Sequence, residues 1–265
     1  FEYADRMFVL LAVIKAITQK GFRFIEGFSF LLFDEVPDHN TIWRRVGKVD
    51  PDVVKKASTA KKSKTIDIIL DATGISVNGT NVWIDEKYNL HRKRNWVKLH
   101  LCVDAKTKEI ISVNVLDKNT HEGEQKEFRK IVSSAQKKAK VKKAYADGAY
   151  DSKKNFDFCK AEGIEPVIKI RRNSVNPVHK KKMRNEDLKY HGKAPPPLSF
   201  RDEQVIEQAF WKSFVMKKKY GKRSGIEGVI GSFKRFFGEY VSSKIRKRIE
   251  NELIIRCNVW NLMIA

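Results

Sequence analysis

Over residues 65–77 the chain carries the run Ile66-Asp67-Ile68-Ile69-Leu70-Asp71-Ala72-Thr73-Gly74-Ile75, which is too short for a typical helix and rich in β-branched side chains. It reads as a strand, and the next two apolar segments keep the period of a sheet. Residues 96–103 alternate, with Val97, Leu99, Leu101 and Val103 on one face and Trp96, Lys98, His100 and Cys102 on the other. Residues 104–108 turn the chain and 110–116 return it, so three strands form an antiparallel meander. A helix over about 122–138 comes next, then a strand over 141–146 that ends at Asp147-Gly148. A second helix over 152–162, closed by Gly163, and a strand over 166–170 complete the series.

Three antiparallel strands, helix, strand, helix, strand is the order of the ribonuclease H-like fold, an α/β architecture with a mixed five-stranded sheet flanked by helices. A small helical segment precedes it. Residues 3–20 read as a helix, and Pro37-Asp38-His39-Asn40-Thr41-Ile42-Trp43-Arg44-Arg45 reads as a helix start capped by Asn40 or Thr41. With Trp43, Arg44 and Arg45 in its first turns, this helix is either the basic second helix of a helix-turn-helix-like unit, touching DNA through Arg44 and Arg45, or a plain packing layer. The chain thus divides into an N-terminal helical segment (1–50), a polar, basic linker (51–64) and a larger domain (65–265). Within that domain, residues 171–200 hold many Lys and Arg, Pro195-Pro196-Pro197 and no period, and read as a basic loop. From residue 202 onward the pattern is helical.

Charge narrows the function. The chain sets 54 Lys and Arg against 32 Asp and Glu, a formal net charge of +22, with basic blocks at 55–64, 137–143, 171–184, 217–223 and 244–248. Five blocks together favour nucleic acid as partner, because each phosphate neutralised releases counterions and makes binding steeply salt-dependent. No membrane partner is expected: the blocks lack a sustained apolar face, and the longest apolar stretch, 7–14, ends at Lys15, far short of the roughly 18 to 20 residues of a span. Cys102, Cys159 and Cys257 form no CxxC pair, which points away from a disulfide framework or structural zinc and suits a reducing, intracellular setting. The chain begins at Phe1 without a leader pattern, so it is expected to be a piece of a longer one.

Against this basic background a few acids stand out. A carboxylate inside an apolar strand is costly to bury unless it meets a cation or metal, and Asp71 is such a residue. Asp67 shares its parity but lies where water reaches the start of the strand. Asp147 ends the fourth strand, where Asp-Gly also has a turn reading, and Asp151 reads as the N-cap of the next helix. Placed at 100° per residue, the segment from Tyr220 onward gives an apolar stripe of Ile226, Val229, Ile230, Phe233 and Phe237, with Tyr220, Arg223, Glu227 and Lys234 within an arc of about 60° beside it if the helix is continuous. Gly225, Gly228 and Gly231 each cost that helix about 1 kcal/mol relative to Ala, a cost that suggests close approach by another backbone. A salt-bridged surface is the plainer reading of that polar face.

The spacing Tyr220-x2-Arg223-x3-Glu227-x6-Lys234 resembles the Tyr-Arg-Glu-Lys signature of the DDE-class insertion-sequence transposases of groups four and five. Leu70-Asp71-Ala72-Thr73 and Tyr145-Ala146-Asp147-Gly148-Ala149-Tyr150-Asp151-Ser152 resemble that family's two Asp motifs. The resemblance covers about residues 37–265, and it departs at 171–200, where some relatives carry a β-rich insertion and this chain has only a basic loop. What it implies is DNA transposition by two-metal phosphoryl transfer: cleavage at a transposon end, then joining of the 3′-hydroxyl to target DNA. On that resemblance Asp71, Asp147 and Glu227 are catalytic metal ligands for two Mg²⁺ (or Mn²⁺) ions, and Arg223 and Lys234 hold phosphates with Tyr220 as hydrogen-bonding neighbour. Double-stranded DNA (terminal repeats and target), a homodimer when two ends are joined, and a cytoplasmic, nucleoid-associated location follow from it. His100 and His121 are expected to be ordinary hydrogen-bonded residues, His91 a basic turn, and Trp83 and Trp96 packing residues. The rival readings are a junction-resolvase type of ribonuclease H-like nuclease and a catalytically inactive DNA-binding relic of a transposase.

Overall fold

A computed structural model describes residues 3–55, 65–77, 95–117, 124–171, 199–209 and 211–264. Strand β1 (Thr65–Val77) is the spine. It pairs antiparallel with β2 (Trp96–Asp104), which pairs antiparallel with β3 (Ile110–Asp117). Helix α5 (Glu124–Gln136) leads to β4 (Lys140–Ala146), parallel to β1, and α6 (Lys153–Ala161) leads to β5 (Glu165–Ile168), parallel to β4. The sheet order β3-β2-β1-β4-β5 is that of the ribonuclease H-like fold. A sixth strand not anticipated from the sequence, β6 (Tyr240–Val241), adds parallel to the far end of β1; two residues are too few to leave a periodic signal.

β1 is buried on both faces, which is why its apolar run is nearly unbroken. Ile68 and Leu70 enter a core with Phe128, Val132, Phe156 and Cys159 from α5 and α6. Ile69 and Ile75 enter the opposite core, with Val97, Leu99 and Leu101 of β2. After the sheet, α7 (Phe200–Gln208) sets Phe200 against the first core, while the second core is closed by α8 (Trp211–Lys218), α9 (Gly225–Phe237) and α10 (Arg246–Ile264), which supply Phe214, Phe233 with Phe237, and Leu253.

Among the described residues four helices precede the sheet: α1 (Asp5–Thr18), α2 (Phe22–Ser29), α3 (His39–Val46) and α4 (Pro51–Lys55). Phe8, Leu11 and Ile42 belong to the same core as Leu253 and Phe233, and the Pro51 carbonyl accepts from Asn258 Nδ2 at 2.8 Å, so α1 and α4 lie on α10, α1 also meets α9, and α2 packs on α1 and α3. The stretch expected to begin a linker at residue 51 is therefore helical as far as Lys55, and residues 56–64 lie outside the described residues. The α3 cap is neither Asn40 nor Thr41. Asp38 occupies the position, and its Oδ1 accepts the amides of Asn40 (2.9 Å) and Thr41 (3.2 Å). Asp38, Asn40 and Thr41 all carry cap-competent oxygens within four residues, and spacing alone does not choose among them.

Candidate active site

Asp71 and Asp147 come from the two central parallel strands. The last registered pair of β1 and β4 is Ile69 with Tyr145, so two further residues along each strand bring Asp71 and Asp147 to neighbouring positions on one face. They sit at a notch in the sheet. β2 takes one edge of β1 from Ile68 to Ser76; β4 follows the other edge only to Ile69, and β6 rejoins it only at Ser76. Each carboxylate is oriented by its own backbone. Asp71 Oδ1 accepts the Ala72 amide at 2.8 Å, and Asp147 Oδ1 accepts the Ala149 amide at 2.9 Å, capping a 3₁₀ turn at Gly148–Tyr150.

Glu227 arrives from the other core on α9, but the helix is not continuous through Tyr220 as the wheel requires. Tyr220–Ser224 is a 3₁₀ turn, preceded by Lys219 in the left-handed region (φ 56°), and α9 begins only at Gly225. A 3₁₀ turn advances by about 120° per residue, so the common arc does not hold for Tyr220 and Arg223. Ion pairs bring the residues together instead. Arg223 Nη2 lies 2.7 Å from Glu227 Oε1 and its Nη1 lies 3.5 Å from Asp71 Oδ2. Beside it, Lys222 Nζ reaches Asp67 Oδ2 at 3.0 Å, so two consecutive cations fasten the turn to β1. Lys222 was not singled out from the sequence; adjacency to Arg223 on a tight turn was its only signal.

Tyr220 links this turn to the second aspartate. Its hydroxyl donates to the Ala146 carbonyl, one residue before Asp147, at 3.4 Å, and Trp211 and Phe214 pack against its ring. Burial pushes its phenol up to about 12, Arg223 pulls it down, and Asp147, Asp71 and Glu227 each raise it. One hydroxyl therefore senses all three acids, and it stays a neutral donor at any ordinary pH. Lys234 lies two helical turns beyond Glu227 on α9, with Nζ 3.9 Å from Glu239 Oε1. The apolar stripe is as expected: Ile226, Val229, Phe233 and Phe237 are buried and Ile230 is packed against them.

Asp151 has a different role from the one expected. Ser152 caps α6, accepting the Asn155 amide, while Asp151 is buried and held by Arg201 through Nε–Oδ1 and Nη2–Oδ2 contacts of 2.7 Å each. The Arg171 amide donates to the same carboxylate at 3.1 Å, and the Arg171 side chain donates to the carbonyls of Gly148 (2.8 Å) and Ala149 (3.0 Å). The turn that carries Asp147 is thus tied to two arginines from distant segments. A helix N-cap and a buried pair both favour Asp at that position, and only the partner 50 residues away distinguishes them.

The remaining candidates separate clearly. Arg44 is exposed, with Nη2 3.4 Å from Thr41 Oγ1, whereas Arg45 folds back onto α1, 2.5 Å from Asp5 Oδ1 and over the Phe8 ring. His100 is buried, with Nδ1 3.3 Å from the Tyr150 hydroxyl, rather than on an exposed polar face. Trp96 lies against Gly74. His91, His121, Trp83 and most of the 171–200 segment lie outside the described residues. The three cysteines are buried and free, and burial pushes each thiol up to about 12. Among the described residues no helix is long and apolar enough to cross a membrane.

The glycines of α9 are not explained by a neighbouring backbone. A Cβ at Gly225 would meet the Lys108 ammonium, while one at Gly228 or Gly231 would meet nothing within 4 Å. Gly228→Ala and Gly231→Ala should therefore each stabilise the fold by up to about 1 kcal/mol. Thermal unfolding should show a rise of about 2 to 4 °C; a fall would mean that this face is covered in the free protein.

The donor set suits a hard cation. Asp71, Asp147 and Glu227 offer only carboxylate oxygens, without thiol or imidazole, the chemistry that Mg²⁺ and Mn²⁺ prefer. Among the described residues, however, no three acidic, histidine or cysteine side chains stand close enough together to grip an ion. The Arg223 guanidinium stands between Asp71 and Glu227. By donor type the three acids fit a divalent ion, and Arg223 now holds two of them.

Comparison with known proteins places the chain. Among solved structures, it is similar to a simian T-cell lymphotropic virus intasome in complex with PP2A regulatory subunit B56 gamma (13% identity, TM-score 0.29), over 70% of this chain and 60% of that one. It is also similar to a piggyBac transposase synaptic complex with hairpin DNA (11% identity, TM-score 0.48), over 99% of this chain and 66% of that one. The chain spans less than two thirds of the length of either. The family described as "Transposase DDE domain" matches residues 62–262, which include Asp71, Asp147 and Glu227 and all six strands, and the chain belongs to that family.

Proposed function

We propose that this chain is a DNA transposase of insertion-sequence groups four and five, which cleaves the ends of its element and joins the freed 3′-hydroxyl to target DNA. The observation that carries the reading is the gathering of three of the four signature residues around the two aspartates: Arg223 spans Asp71 and Glu227, and Tyr220 is anchored on the carbonyl before Asp147. A salt-bridged helix face alone would not require Asp71 from a strand 152 residues away.

Asp71, Asp147 and Glu227 would hold two Mg²⁺ or Mn²⁺ ions. Bound there, the ions would supply activation of the attacking oxygen and charge stabilisation of the leaving oxygen. Arg223 and Lys234 take phosphate oxygens near the scissile bond, and Tyr220, kept neutral, orients by hydrogen bonding. The partner is duplex DNA, both transposon ends and target, with Arg44 a sequence-independent contact on the N-terminal helices. Arg45 contributes there only if it leaves Asp5. Joining two ends calls for a homodimer, and the setting is the cytoplasmic nucleoid.

The test is a duplex carrying the element's end, incubated with Mg²⁺, followed by a pre-cleaved end offered to target DNA. Nicking followed by strand transfer is expected. Nicking without strand transfer would replace this reading with a resolvase-type nuclease, and binding without nicking would replace it with an inactive relic.

A further inference from the structure

Arg223 holds two of the carboxylates that the assigned ions would need. Its two terminal nitrogens are divided between carboxylates of different elements, Asp71 on β1 and Glu227 on α9, at 3.5 and 2.7 Å. Its backbone lies in a 3₁₀ turn whose other cation, Lys222, is separately fastened to Asp67. The Arg223 side chain can therefore leave the acids without freeing the turn from β1. Glu227 is largely exposed, with 58% of its side chain open to solvent, while Asp71 keeps 21%, so ions reach the pair from the Glu227 side.

The geometry points to Arg223 as an exchangeable occupant of the acidic site. In the ion-free protein it neutralises Asp71 and Glu227; when divalent ions load, it gives up both carboxylates and its guanidinium becomes available to a DNA phosphate. A guanidinium and a divalent cation compete for the same oxygens, and a phosphate that captures the guanidinium removes the competitor. Ion loading and phosphate capture at this residue therefore favour one another, and the coupling is reciprocal. Arg223 positions the acids before loading and binds phosphate after it. This rests on the assignment of Asp71, Asp147 and Glu227 as ion ligands.

The experiment measures Mn²⁺ binding without DNA, by electron paramagnetic resonance of the free ion, for the wild-type chain, Arg223→Gln, Arg223→Lys and Asp71→Asn. Asp71→Asn should lose binding. Arg223→Gln should bind Mn²⁺ roughly tenfold more tightly than the wild type, and Arg223→Lys should fall between, since one ammonium cannot divide itself between two carboxylates. In parallel, the Arg223 Nε–H resonance, identified by its loss in Arg223→Gln, should shift on saturation with Mg²⁺. If Mn²⁺ binding needs Asp71 but is unchanged or weakened in both Arg223 variants, the exchange is overturned and the ligand assignment stands. If binding is indifferent to Asp71→Asn, both fall together.

Discussion

Asp71→Asn and Asp147→Asn should each abolish end cleavage, by more than about a thousandfold, while leaving duplex binding within about twofold of the wild type. On the proposed ligand assignment, the magnitude follows from removing one anionic ligand from a site that would hold several units of positive charge, a loss of several kcal/mol in the transition state. The selectivity follows from geometry. In Asp71→Asn the remaining carbonyl oxygen can still accept the Ala72 amide, and in Asp147→Asn it can still accept the Ala149 amide that caps the 3₁₀ turn. The local backbone is preserved, and only charge is lost. In the proposed function duplex binding rests on cations such as Arg44 and Lys234, which neither change touches. Cleavage of an end-labelled duplex and fluorescence anisotropy of the same duplex separate the two effects, and retained cleavage in either variant would sink the assignment.

Arg201→Met should lower the unfolding free energy by about 3 kcal/mol, near the low end for breaking a buried pair because the arginine head keeps some contact with water. Methionine keeps the apolar stem, so the loss comes from leaving the Asp151 carboxylate, none of whose side chain is exposed, with only the Arg171 amide among its strong donors. For a chain of this size the expected fall in Tm is on the order of 5 to 10 °C, read by thermal unfolding in circular dichroism. Arg45→Ala, which breaks a pair with the exposed Asp5, should shift Tm far less. Equal shifts would show that the Asp151 pair is not sheltered from water. Because Asp151, Arg171 and Arg201 hold the turn that carries Asp147, cleavage by Arg201→Met should also fall at temperatures below its Tm.

Both predictions depend on contacts that no local pattern announces. The strands were legible because a period of two with β-branched enrichment reflects steric preferences of a few neighbouring residues, and β1 spans the same residues, 65–77, in sequence and structure. The α9 stripe was legible for the same reason at a period of about 3.6. Asp71 and Asp147 stood out because each interrupts or ends an apolar strand. Glu227 needed the resemblance as well, since an acid among Lys and Arg on a helix is usually a solvated pair. The continuous wheel through Tyr220 failed where the backbone tightens to 3₁₀ after Lys219, the turn from which Lys222 and Arg223 reach the acids of β1.

The sequence by itself determined the order and kind of the main elements, the positions of Asp71 within and Asp147 after a strand, and the apolar face that seats α9, because these depend on steric and hydrophobic periods within about ten residues. Only the tertiary structure decided that Asp38 caps α3, that Asp151 is a buried anchor and not a cap, and that Arg223 stands between Asp71 and Glu227. Each of the latter two rests on an ion pair between segments 50 or more residues apart, and one-dimensional spacing carries no measure of which distant cation will meet which acid.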